Sequence, residues 1–249
     1  VSNTLQFYQT IVPIDRNLHK SWTLRATADA GFTRNAHAVL LLGSEFVEAS
    51  REYPIVFVRN GDQVMPVAML GLREGENLFV NEHGQWQARY VPAYVRRYPF
   101  TFAEVPGGQL LLSLDTSYAG LDQEGKAGQA LFDQEGKETD FLKNMLAFAQ
   151  GFQDDYQRTR LVCAEIDKLG LFKDMNMQAT LANGGSFNMG GFLVVDEQKL
   201  LQLDDATITN LFKSGLLGTL YAHLISLGNA NQLVARLAER DVVAPATTH

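Results

Sequence analysis

Between residues 38 and 116 short apolar runs, rich in β-branched and aromatic residues, alternate with small clusters of turn formers. PIVFVRN leads through Asn60-Gly61-Asp62 into VMPVAMLGL, a strand–turn–strand pattern with the chemistry that a tight reversal needs. NLFVNEHGQWQARYV repeats the logic around Glu82-His83-Gly84, and FTFAEVPGGQLLLSLDT repeats it around Pro106-Gly107-Gly108. Hairpins in such close succession predict a mainly antiparallel sheet and leave no room for βαβ crossovers. Two short helices are expected among them. SEFVEASREY offers Ser44 as N-cap with Glu48 in the first turn, and PAYVRRY places Pro92 at the first helical position. Upstream, residues 1–37 carry short apolar runs punctuated by Pro13 and Gly31, which predicts one or two N-terminal strands laid against the sheet.

The second half changes period. From Thr139 to Leu169 there is no proline, and Phe141, Met145, Phe148, Phe152, Tyr156, Thr159, Cys163 and Ile166 recur every three or four residues. This is one apolar stripe of a long amphipathic helix, opposed by Lys143, Asp154, Asp155, Arg158, Arg160 and Asp167. At 1.5 Å per residue it would run about 45 Å, with Gly170 suited to its C-terminal cap. SFNMGGFLVVD reads as a strand that Gly190-Gly191 bulges or opens to close approach. Asp196 suits the N-cap of EQKLLQL, and Asp204 or Asp205 that of ATITNLFKSG. GLLGTLYAHLISLGN and QLVARLAER follow as helices parted near Gly228-Asn229. The expected fold class is α+β: an antiparallel sheet from hairpins in the N-terminal half, packed by the long helix and a C-terminal helical segment. A single domain over 1–249 is expected, with N-terminal strands (1–37), a β-rich half (38–137), a helix-rich half (138–241) and a frayed tail (242–249).

Asp122-Gln123-Glu124-Gly125-Lys126 recurs letter for letter as Asp133-Gln134-Glu135-Gly136-Lys137. The pentamer lacks the alternating oxygen ligands and closing Glu of a calcium loop, so two acidic surface turns are expected. Composition narrows the function classes. The 249 residues are 46% hydrophobic, ample for a core and contrary to disorder. A net charge of −7 provides no bulk field for nucleic acid or an anionic membrane. No run approaches the length of a membrane span, so no transmembrane segment is expected. The first twenty residues lack the basic cluster and apolar run of a signal peptide, which predicts a cytoplasmic location. The single cysteine, Cys163, excludes an internal disulfide.

Several long blocks carry a resemblance. LRATADAGF with NAHAVLLLGSEFVEASREYPIVF, then GLREGENLFV, YVPAYVRRYPF and GGFLVVDEQKLLQLDDATITNLFKSGLLGTLYAHLISLGN are similar to the SapC family of bacterial proteins, in the family's order and over roughly residues 5–235. The resemblance implies a family named for a link to a paracrystalline surface layer. It also implies company with outer-membrane TonB-dependent receptors, tryptophan-halogenase-like flavoproteins and cupin-like proteins. That company points to uptake or modification of a scarce nutrient. The resemblance brings no catalytic residues that can be placed by position.

Tests for chemistry in the residues themselves return little. His19, His37, His83, His223 and His249 have no ligand spacing, so no metal or other cofactor is expected. His223 in TLYAHLISL reads as a core-edge histidine bonded to a backbone carbonyl or a tyrosine. Ser186 is not in a G-x-S-x-G elbow, and Cys163 lies on the apolar stripe as a small hydrophobe. GGSFNMGG fits no phosphate-loop pattern and precedes a strand; turn and bulge are expected, with close approach of a ligand backbone as the alternative.

The most suggestive constellation is YVPAYVRRYPF. Tyr90, Tyr94 and Tyr98 lie four apart, with Arg96 and Arg97 interleaved. On a helix begun by Pro92 the tyrosines would stack along one side and the two guanidiniums would point in neighbouring directions. Such a cluster, with Trp86 and Trp22 as possible additions, suits a small anionic or aromatic ligand or a protein partner's acidic patch. The alternative is structural: tyrosines plugging the sheet flank, arginines pairing with Glu74, Glu76 or Glu82. Three functions follow. The leading one is a non-catalytic cytoplasmic binding or accessory protein linked to nutrient uptake or to flavoprotein systems. The second is a surface-layer or export component, and the third an enzyme with a spatially assembled site, around Glu82, His83 and Arg96.

Overall fold

The computed structural model describes residues 6–243 apart from 28, 106 and 181–185, with the side chains of 177–188 and 241–243 also outside the description. The strands are β1 (Ile11–Pro13), β2 (Thr23–Leu24), β3 (Ala38–Leu40), β4 (Ile55–Asn60), β5 (Gln63–Met69), β6 (Phe100–Val105), β7 (Gln109–Asp115), β8 (Leu121–Asp122), β9 (Gln129–Ala130), β10 (Phe172–Thr180) and β11 (Ser186–Val195). The helices are α1 (Phe46–Ala49), α2 (Ala93–Arg96), α3 (Asp140–Lys168), α4 (Glu197–Leu201), α5 (Asp205–Lys213), α6 (Leu216–Ser226) and α7 (Ala230–Val243). The fold is α+β, with antiparallel sheets, a long α3 and a C-terminal helical segment.

The strongest turn signal organises the main sheet. Asn60 pairs with Gln63, and Gly61 takes the left-handed φ of +57° that glycine adopts at no steric cost. β4 and β5 sit inside a five-stranded sheet ordered β10-β11-β4-β5-β3. β5 is buried at every position from Val64 to Met69, which means both faces of the strand are covered. α3 packs on β5, and α6 packs on β4 and β11. The resulting core includes Phe57, Met69, Leu70, Ile166, Leu220 and Leu233, each worth roughly 1.5–3 kcal/mol when fully buried.

The expected N-terminal strands are present: β1 pairs with β7 at the edge of a β1-β7-β6 sheet, and β2 lies between β8 and β9. A second apolar cluster, Leu24, Phe100, Leu114, Leu131, Phe132 and Leu142, joins these pieces to the start of α3. The repeated pentapeptides fold alike. Asp122 accepts from the backbone N–H of Glu124, Lys126 and Ala127, and Asp133 accepts from that of Glu135 and Lys137. Gly125 and Gly136 both take positive φ, +73° and +79°.

α3 starts one residue after Thr139, whose hydroxyl accepts from the Leu142 N–H, and ends in a Schellman closure. Gly170 N–H bonds Asp167 O, and Leu171 N–H bonds Ile166 O. From Phe152 onward the buried side is the expected stripe; in the first turns Leu142 and Ala149 are buried, while Phe141, Met145 and Phe148 are half-buried. Asp196 and Asp204 cap α4 and α5.

Other expectations need correction. The hairpin around Glu82-His83-Gly84 contracts to one bridge, Val80–Trp86, because the Asn81 carboxamide ties the turn by accepting from His83 and Gln85 N–H. Ser44 is not an N-cap: a short 3-10 turn at Gly43–Glu45 precedes α1, and the Ser44 hydroxyl reaches Asp155 on α3. Pro92 is the N-cap of α2 and Ala93 its first residue. A strand inside the helix-rich half, β10, was not expected. α7 extends to Val243, into the expected tail; residues 244–249, His249 among them, Pro106, the Gly184-Gly185 pair and the Ser186 side chain lie outside the described residues.

Candidate functional site

The tyrosine–arginine segment is built differently from the expected helix face. α2 is four residues long, so Tyr90 precedes it and Tyr98 follows it; the three tyrosines do not stack along one side. Tyr94 is fully buried, with its hydroxyl accepting from Gln6 N–H at 2.8 Å. Arg97 is buried too, its guanidinium lying 4.5 Å from the Tyr94 ring and 4.4 Å from Phe152. Arg96 points to solvent, where it donates to Val91 O at 2.9 Å and lies over Tyr90 and Phe148. The neighbouring guanidiniums are therefore divided between interior and surface. Tyr98 stacks on Phe32 at 4.2 Å. Trp86 donates to the Tyr53 hydroxyl at 2.9 Å, and that hydroxyl reaches Tyr90 O. Trp22 lies apart, its ring 4.0 Å from that of His19.

The carboxylate beside Arg96 is Glu45, which is buried. It accepts from Tyr90 OH at 2.6 Å and Ala93 N–H at 2.7 Å on one oxygen, and from Leu42 N–H at 2.8 Å on the other. Burial raises its pKa in spite of these donors. It ties the 3-10 turn before α1 to the start of α2. His223 is equally committed to backbone: Nε2 accepts from Val195 N–H and Nδ1 faces Ile55 O, while burial lowers its pKa to about 4. The Cys163 thiol is buried and pushed up to about 12, far from a thiolate at neutral pH. Glu82 and His83 form an exposed pair at 3.7 Å, and no contact joins them to Arg96 among the described residues. Among the described residues, no three His, Cys, Asp or Glu are grouped to hold a metal ion, and no helix is long and apolar enough to cross a membrane.

A different region is concave. In the β1-β7-β6 sheet, Leu112 pairs with Phe102, and Ile14 N–H extends the β1–β7 ladder to Leu112 O. Ile14, Leu112 and Phe102 therefore form one cross-strand row, flanked by the Phe100–Leu114 row on one side and the Glu104–Leu110 row on the other. Along this face exposure grows: Phe100 and Leu114 are buried, Phe102 and Leu112 half-buried, and Leu110 is 47% exposed. The facing stripe of α3 follows the same gradient, from buried Leu142 through half-buried Leu146 to exposed Gln150. Leu114 and Leu142 belong to the same buried cluster. Beyond it, sheet and helix line an open groove of about 730 Å³, to which Phe132 and Gly136 also contribute. Arg16, Lys137 and Lys143 line it as cations, Asp15 and Glu138 as carboxylates. The available signal was Leu110-Leu111-Leu112, a strand segment apolar on both faces.

No curated protein and no solved structure matches the chain. The SapC family model matches residues 14–233, a span that holds the main sheet, the groove and the helices through α6. The chain belongs to the SapC family.

Proposed function

We propose that this protein is a binding or accessory component that holds a ligand or partner segment in the groove between β6–β7 and α3. We place it in the cytoplasm, beside the uptake or flavoprotein systems that the family resemblance implies. The groove carries this reading: an apolar floor with a charged rim, about 730 Å³ in volume, falls within the range of small-molecule sites. The commitments of the polar interior support it. Glu45 and His223 are held by backbone donors and acceptors, and such groups serve as struts between elements.

Native mass spectrometry of the gently purified protein and of Leu110→Glu tests the proposal. The wild type is expected to carry an additional mass that the variant releases, since the substitution sets a carboxylate on the half-exposed floor. A mass retained by both, or a wild type that arrives bare, overturns it.

A further inference from the structure

We infer that α6 is a self-association surface, along whose outer face two copies of this chain pair antiparallel. The groove takes no part in it. A helix that covers a core ordinarily turns charged and polar residues to water. α6 does not. From Ser214 to Ala235 the chain has no Asp, Glu, Lys or Arg, and His223 is buried against the backbone of β4 and β11. Leu216, Leu220 and His223 face the core, which leaves Gly218, Tyr221, Ile225 and Gly228 outward. Ile225 is 72% exposed and Tyr221 36%. Steps of three, four and three residues keep these positions on one line, the spacing of a helix-pair seam.

Charge and shape both point to a second copy as the occupant. In a twofold contact the same patch serves both protomers, so a charged patch opposes itself. The protein carries −7, and the outer face of α6 lets two copies meet without opposing like charges from the helix. An antiparallel pair about an axis near His223 sets Tyr221 of each protomer against Ile225 of the other, and Gly218 against Gly228. The bulky residues fill the centre, and the glycines flank them with no side chain to hold the helices apart. A Cβ on either glycine would meet nothing within 4 Å, so the space there is open. Opposed helix dipoles favour the antiparallel sense. A bilayer fits less well, because the face has no Lys or Arg to draw it to anionic headgroups. α6 has eleven residues. Its length of about 16 Å falls short of an interface burying about 800 Å² per protomer, which implies a reversible dimer of roughly micromolar affinity.

Sedimentation velocity of the full chain from about 1 to 200 μM tests the pairing across that affinity range. The wild type should move from monomer toward dimer. Ile225→Glu should raise the dissociation constant about tenfold or more, since it brings two carboxylates into the contact. Leu161→Glu, on the equally exposed Leu161 of α3, should leave the constant within about twofold. Thermal melting verifies that both variants fold. The sense of the pair is read by disulfide trapping, with Cys163 buried and silent. Gly218→Cys mixed with Gly228→Cys should cross-link under mild oxidation, and neither should cross-link alone. A monomer at every concentration overturns the inference, whether or not the protein floats with phosphatidylglycerol vesicles. So does equal weakening by Leu161→Glu, or trapping of Gly218→Cys with itself.

Discussion

His223 occupies the place where a backbone hydrogen bond of Ile55 would stand. The β4–β5 hairpin closes at Asn60–Gln63, so alternate residues Ile55, Phe57 and Arg59 turn their backbone groups away from β5. Phe57 meets Leu193 of β11 there, the single paired position between the two strands. Ile55 instead meets α6: its N–H donates to Ser226 Oγ at 3.0 Å, and its carbonyl lies 2.9 Å from His223 Nδ1. The other ring nitrogen accepts from Val195 N–H at 3.0 Å. One imidazole bridges two strands, and it does so as the neutral Nδ1–H tautomer, with Nδ1–H donating.

That role fixes a pH dependence. Burial holds the folded pKa near 4, below the 6.5 of a free histidine, so the unfolded chain binds the extra proton first. The contribution is fully present above pH 6.5 and is lost as pH falls toward 4, roughly 3 kcal/mol across the window. His223→Ala should cost about 2–4 kcal/mol at pH 7 by stranding Ile55 O and Val195 N–H. Urea unfolding from pH 7 to 4.5 should give a smaller fall for the variant than for wild type; parallel curves contradict the bridge.

Arg96 and Arg97 should part company on truncation. Arg97→Ala empties the space between the Tyr94 and Phe152 rings and is expected to cost about 2 kcal/mol. Arg97→Lys should not restore it, since an ammonium lacks the flat face that stacks. Arg96→Ala, at the surface, should cost less than about 1 kcal/mol. Denaturation midpoints of the three variants check the order.

Tyr90 and Glu45 make a charge-assisted pair whose worth depends on ionisation. The raised pKa of Glu45 means that charging it in the fold is unfavourable, so its share of stability is present below the unfolded pKa and lost as pH rises through the folded one. Tyr90→Phe removes a donor to the charged form. Its penalty, about 1–2 kcal/mol, should therefore be larger at pH 8 than at pH 4. Chemical denaturation at both pH values measures the difference, and a penalty independent of pH counts against the pair.

The identical pentapeptides should respond differently to one change. A Cβ on Gly125 would meet Ser21 O at 2.6 Å, whereas a Cβ on Gly136 meets nothing within 4 Å. Gly136→Ala should cost about 1 kcal/mol, the left-handed backbone alone. Gly125→Ala should exceed it by displacing the segment before β2. Melting temperatures of the two variants decide this.

The sequence spoke clearly wherever one residue type imposed local geometry. Asn60-Gly61-Asp62 closed its hairpin, and Gly170 closed α3 by the expected left-handed cap. The family was legible from long blocks. β10 was hidden because a register shift between Met175 and Met177 breaks the period of two. The separation of Arg96 from Arg97 was hidden because it depends on the four-residue length of α2. The groove was least legible, since it depends on how α3 packs beside β6–β7, a tertiary relationship with no local signature.

Hydrogen exchange on the protein as isolated, compared with the same protein stripped of bound material, tests the holding function most directly. Occupancy should slow exchange in residues 110–112 and 142–150 and leave 90–98 unchanged. Protection confined to 90–98, or no difference at 110–112 and 142–150, would contradict the groove as the holding surface.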